Sequence, residues 1–127
     1  MAKSLASVAP NATFEEAVKF QVPGKSNQSI KFRFNYFPGD ELQALTGEFS
    51  SIADKVKAES NMLTEAEELQ ATYRAQAEMV QKIADGWELT DEFNAQNITS
   101  LLNAHRGIFF LIFNAFLEAL SAAKAKN

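Results

Sequence analysis

The sequence predicts an α+β fold, mostly helical, in which an N-terminal β-hairpin is followed by four or so α-helices. Three observations lead there. Apolar residues alternate with polar ones between Phe14 and Tyr36, which is the period of a half-buried strand. From Asp40 onward they fall instead at steps of three and four, the period of a helix. The segment from Ile108 to Leu120 is apolar around almost its whole circumference, so that helix is central in the fold or shared with a partner.

Residues 1–12 are small and polar and are expected to form a flexible arm, leaving residues 13–127 as one domain. The first strand places Phe14, Glu16, Val18, Phe20 and Val22 on one side, with Glu16 its flaw. Pro23-Gly24-Lys25-Ser26-Asn27 is turn chemistry. The second strand alternates Ile30, Phe32, Phe34 and Tyr36 against Lys31, Arg33 and Asn35. Two strands alone are marginal, so helices must cover the hairpin or another chain must extend it. Pro38-Gly39 breaks the strand, and Asp40 with Gln43 has the spacing of a capping box. The helix that follows carries the stripe Leu42, Leu45, Phe49, Ile52 and Val56 and is expected to end at Ser60-Asn61.

Thr64 and Glu67 form a second capping box, and Glu65 and Glu68 add negative charge at the positive end of the helix dipole. This helix is expected to bury Leu69, Tyr73, Val80 and Ile83, filled in by Ala66 and Ala77, and to run antiparallel to the one before it. It reaches a corner at Gly86 and Trp87. Gly86 is expected to close the helix in the left-handed conformation, with Trp87 folding back as the apolar residue after the cap. Thr90 or Asn94 then caps a short helix carrying Phe93, Ile98, Leu101 and Leu102. His105-Arg106-Gly107 interrupts it, the last helix begins near Ile108, and the alanine-lysine tail from Ser121 is expected to fray.

The chemistry is mostly a matter of exclusion. Cysteine is absent, which removes disulfides, a thiolate nucleophile and zinc-thiolate sites. A net charge of -4 with scattered basic residues argues against a nucleic-acid partner. Lys31 and Arg33 lie on the hairpin face opposite the aromatics, whereas a single-strand platform needs both together. No compact hydrophobic stretch near Met1 suggests a signal peptide. The segment Gly107 to Leu120 is too short to span a membrane and carries Asn114 and Glu118, so a soluble chain with no membrane partner is expected. His105 is the lone histidine and reads as a helix-boundary residue bonding a backbone carbonyl. Glu65, Glu67, Glu68, Asp91 and Glu92 sit at helix starts, where carboxylates are favoured without any catalytic or metal role. Pro23-Gly24-Lys25-Ser26 lacks the leading glycine and following helix of a phosphate loop. No enzyme, metal or cofactor site is expected. The surplus lies in phenylalanine, 11 against two tyrosines. Phe32 and Phe34 of the hairpin and Phe109, Phe113 and Phe116 of the last helix are therefore candidates for protein binding and self-association, with core packing the competing use.

The order of these features resembles a known family. A hairpin of the Phe-Lys-Phe-Arg-Phe type leads to a helical middle, then to Ile83-Ala84-Asp85-Gly86-Trp87-Glu88-Leu89. Glu92-Phe93-Asn94, Asn97-Ile98, Leu101-Leu102 and a terminal aromatic helix follow. Over about residues 14 to 127 the chain is similar to the tail assembly chaperones of lambda-like, long-tailed phages, and Gly86, Trp87 and Phe93 are its most distinctive marks. Arg106-Gly107 departs from the proline-containing turn of relatives. The resemblance implies a non-enzymatic protein of the host cytoplasm, absent from the mature virion, that holds the tape measure protein until the tail tube polymerises around it. Proteins of this kind are often made in two lengths, the longer by ribosomal frameshifting, and the extension recruits tail tube protein. An exposed hairpin edge and an overly apolar helix suggest self-association head to tail, into an open or spiral array. An unrelated small cytoplasmic adaptor domain is the alternative reading.

Overall fold

In a computed structural model, which describes residues 4–5, 12–59 and 64–125, the alternating segment folds as its period demands. Strands β1 (Thr13–Phe20) and β2 (Gln28–Asn35) pair antiparallel, with Phe14 opposite Phe34 and Val18 opposite Ile30. Lys25 N–H donates to Val22 O at 3.0 Å across the turn. Gly24 there has φ 79°, which glycine adopts without a Cβ clash. Val18, Ile30, Phe32 and Phe34 are buried on one face of the hairpin, while Lys31 and Arg33 are exposed on the other. Of the expected arm, residues 4, 5 and 12 are described, and Ala12 O accepts a bond of 2.9 Å from Tyr36 N–H. The rest of the arm lies outside the described residues.

Helix α1 (Gly39–Glu59) begins ahead of Asp40, because Pro38 O already accepts from Leu42 N–H at 2.8 Å. Asp40 and Glu41 therefore sit in the first turn, where they complement the dipole, and the capping box expected at Asp40 and Gln43 does not mark the start. The expected stop at Ser60-Asn61 lies outside the described residues. Helix α2 (Glu65–Ile83) opens with the predicted box: Glu67 N–H donates to Thr64 Oγ1 at 3.2 Å, and Thr64 N–H to Glu67 Oε1 at 3.1 Å. Lys82, near the end of α2, reaches Glu48 in the first half of α1 at 2.9 Å, as an antiparallel pair requires. The stripe expected on α2 is buried only in its second half, at Ala77, Met79, Val80 and Ile83. Tyr73 is half-buried, whereas Ala66 and Leu69 are exposed.

The corner is built differently from the expectation. Ala84, with φ -139° and ψ 154°, is extended, and the chain passes from α2 directly into a third strand, β3 (Ala84–Trp87). β3 pairs antiparallel with β2, so the hairpin becomes a three-stranded sheet ordered β1-β2-β3. Gly86 is therefore a strand residue opposite Arg33, not a left-handed cap; among the described residues positive φ occurs at Gly24 and Gly107. A Cβ on Gly86 would meet the Arg33 guanidinium at 3.5 Å, an ordinary contact. The register shifts between Arg33 and Phe34, which leaves Asp85 as the extra residue of a bulge, its carboxylate paired with Arg33 Nε. Trp87 lies opposite Phe32, ring centroids 6.0 Å apart, and meets Phe93 edge-on at 5.1 Å. Its indole N–H donates to Asp91 O at 2.8 Å. The ring is half-buried, packed inward at the sheet edge.

Asn94 caps α3 (Ala95–Ala104), accepting from Asn97 N–H at 2.8 Å, so Phe93 precedes that helix instead of riding on it. Arg106 and Gly107, the latter at φ 81°, turn the chain through a bend of 110° into α4 (Ile108–Ala125). The backbone of α4 remains helical from Ser121 to Ala125, where fraying is expected from the sequence. α4 packs on β1 and α2, and Phe116 meets Phe14, Phe34, Phe37 and Phe113 with centroids 5.5 to 6.3 Å apart. Among the described residues no single helix is long and apolar enough to cross a membrane.

Two stability series test this account by chemical denaturation. Phe116→Ala is expected to cost about 3–5 kcal/mol, the range for a fully buried phenylalanine. Gly86→Ala is expected to gain about 0.4–1 kcal/mol because its backbone is extended. Gly107→Ala, at positive φ, loses about 1–2 kcal/mol. Equal losses at the two glycines would restore the left-handed cap at Gly86.

Candidate protein-binding site

The five phenylalanines offered by the sequence for binding all turn inward. Phe32, Phe34 and Phe116 are fully buried, and Phe109 and Phe113 nearly so. They form one ring network instead of a surface. Phe32 stacks on Phe34 at 5.7 Å, Phe34 meets Phe116, and Phe113 joins Phe116 to Phe49 of α1 at 4.3 Å. The competing use, core packing, accounts for them in the monomer. Gly86, Trp87 and Phe93 likewise belong to the sheet edge and its flanking loop, where they form a structural corner.

The exposed apolar surface lies beside those residues. Phe110 is 53% exposed, Leu69 48% and Leu111 41%. Leu69 was expected inside. The periodicity of α2 gives the correct face, but α3 and the sheet cover only the half of it that follows Tyr73. Phe110 and Leu111 could have been found from one signal, a helix more apolar than a single covered face requires.

Consecutive residues on a helix point about 100° apart, and these two open onto different hollows. Phe110 lines a groove of about 560 Å³ between α1, α2 and α4, together with Phe49, Ile52, Leu69, Glu65 and Glu68. Leu111 lines a cleft of about 640 Å³ between the hairpin turn and the α3–α4 corner, with Lys19, Phe20, His105 and Arg106. The groove is acidic and the cleft basic. Among the described residues the ion pairs are Lys31–Glu15, Arg33–Asp85 and Lys82–Glu48, so none of Glu65, Glu68, Lys19 and Arg106 is neutralised by one. His105 ends α3 with its backbone N–H on Leu101 O, and its ring lies edge-on to Phe20 at 5.0 Å where a side-chain bond to a carbonyl was expected. Among the described residues no three histidine, aspartate or glutamate side chains are grouped to hold a metal ion. What the arrangement offers is apolar area bordered by charge, which is the chemistry of protein recognition.

A family model described as phage tail assembly chaperone matches residues 1–127, the full length of the chain. The chain belongs to the phage tail assembly chaperones. No curated protein and no solved structure matches it. Membership points to a non-enzymatic role with tail proteins as partners. In this chaperone α1 and α2 form two walls of the groove that Phe110 lines from α4, and the Lys82–Glu48 ion pair ties those two helices together.

The Lys82 hydrogen bond, and then its charge, hold the Glu48 carboxyl below its ordinary value of 4.5. A depressed carboxylate contributes stability above its unfolded pKa and loses it as pH falls through the folded one. Both side chains are about half exposed, so the contribution is small. Thermal melts of the tail assembly chaperone and its Glu48→Gln variant are expected to differ at neutral pH and to converge as the pH falls below the ordinary carboxylate range, through the lowered pKa of folded Glu48. A gap that persists in acid would assign the effect to packing.

Proposed function

We propose that this tail assembly chaperone binds the tape measure protein in the host cytoplasm and keeps it soluble until the tail tube polymerises around it. The observation that carries the reading is the exposed apolar ridge of Phe110 and Leu111, with Leu69 beside it, on a family member of net charge -4. A tape measure is long, helical and prone to aggregate. Covering it takes repeated apolar contacts from a carrier that stays soluble itself, and an acidic protomer with one apolar ridge supplies both. Copies associate with one another as they coat it. A longer, frameshifted form recruits tail tube protein, and the chaperone leaves before the virion is complete.

Co-expression is the test. The tape measure protein encoded alongside this chaperone is expected to move from the pellet to the soluble fraction when the two are made together, and to co-purify with it. Unchanged partitioning with and without the chaperone would overturn the reading.

A further inference from the structure

We infer that the groove between α1, α2 and α4 seats one kind of client segment: an amphipathic helix of about three turns whose apolar stripe ends in lysine or arginine. The inference rests on the tape measure reading above and names the place and the chemistry of that contact. The groove has a volume of about 560 Å³. Its apolar lining includes Phe49 and Ile52 of α1, Leu69 of α2 and Phe110 of α4. Leu69 and Phe110 are 48% and 53% exposed, so they carry apolar area that the protomer itself leaves uncovered.

Backbone, length and charge select this occupant. The walls are helices, whose peptide groups are bonded along each helix, so the groove has no strand edge to offer. A segment entering it must satisfy its own backbone, and a helix does. Along α2 the lining runs Glu65, Glu68, Leu69, Thr72 and Gln76, the steps of one helix face. At about 1.5 Å per residue that face is about 16 Å long, or about three turns of a docked helix. The charge lies at one end. Glu65 and Glu68 sit at the start of α2, and Gln76 marks the uncharged end. Glu67 of the same turn is engaged by Thr64 in the capping box, whereas neither Glu65 nor Glu68 enters an ion pair among the described residues. A cation at the matching end of the client helix is attracted there and a carboxylate repelled, so the same two residues choose the segment and set which way it lies.

Fluorescence anisotropy of labelled peptides with the full-length chaperone tests it. The probes are synthetic segments, each a few helical turns long, that tile the tape measure protein encoded alongside. Segments with an apolar helical stripe and a basic end are expected to bind, and to bind less tightly as salt is raised. Glu68→Lys is expected to weaken them about tenfold or more. Replacing the basic end of the peptide by glutamates weakens binding to the wild type and restores it to Glu68→Lys. Glu78→Lys makes the same charge change at an exposed position of α2 outside the groove and leaves binding nearly unchanged. Leu69→Asp, also at an exposed position, abolishes binding, and circular dichroism checks that each variant is folded. Equal binding of acidic-ended and basic-ended segments would overturn the inference. So would a tape measure kept soluble in co-expression by Glu68→Lys and Leu69→Asp as well as by the wild type, and the tape measure reading would then stand without this groove. A wild type that fails to keep the tape measure soluble would remove that reading and this site with it. Lost self-association of Leu69→Asp in sedimentation, with client binding intact, would assign the groove to a neighbouring copy instead.

Discussion

The structure depends first on one ring. Phe116 touches Phe14 of β1, Phe34 of β2, Phe37 of the segment leading to α1, and Phe113 on its own helix. Each such aromatic pair adds about 0.5–1.5 kcal/mol beyond the area it buries, so four contacts on one side chain make a strong local constraint. That constraint fixes α4 across the inner face of the sheet. With Phe116 held there, Phe113 and Phe109 are carried around to Phe49 of α1, and the network runs unbroken from sheet to helix pair. The high phenylalanine content is consumed in making that connection. Phe110 and Leu111 are what remains: they sit on the same turn as buried neighbours, and α1 and β1 border them without covering them.

The second constraint is the instability of a two-stranded hairpin. The chain resolves it internally. β3 gives β2 its second neighbour, Trp87 covers the edge of Phe32, and the Asp85 bulge turns a carboxylate back to Arg33 on the wet face. The indole bond to Asp91 then fastens the loop that leads to Asn94 and α3. One short segment thereby ends a helix, completes a sheet and starts the next helix. The β2 edge is occupied, so of the two strands in the hairpin only β1 retains an edge unpaired among the described residues, and it is studded with Glu15 and Lys19. Charged edges of that kind discourage strand addition. The exposed apolar area lies instead on α4, at Phe110 and Leu111.

Local chemistry made part of this legible. Alternation defined β1 and β2, and the Thr64–Glu67 box started α2 where it predicts, because both signals are completed by residues close in sequence. β3 was not legible for the opposite reason. Its four residues include aspartate and glycine, poor strand formers, and only β2, some fifty residues away, makes them a strand. Leu69 shows the same limit on a helix: periodicity says which face turns inward, but how far along the axis a neighbour extends is tertiary information. The exposed arc of α4 was illegible for a similar reason. Aromatic content marks α4 as unusual without saying which of its rings stay exposed, since an all-round apolar helix gives no phase from which to separate its buried arc from its exposed one.

That ambiguity is physical as well as analytical. A helix apolar on every side has no intrinsic inside, so the tertiary packing decides which residues remain available, and a small shift of α1 changes how much of Phe110 the groove covers. Exposed apolar area on a free protein invites indiscriminate aggregation. Here the flanking charges counter it: Glu65 and Glu68 repel acidic surfaces from one side of the ridge, Lys19 and Arg106 repel basic ones from the other. The same ridge that packs the core from within thus sets, through its borders, the terms on which the outside is admitted.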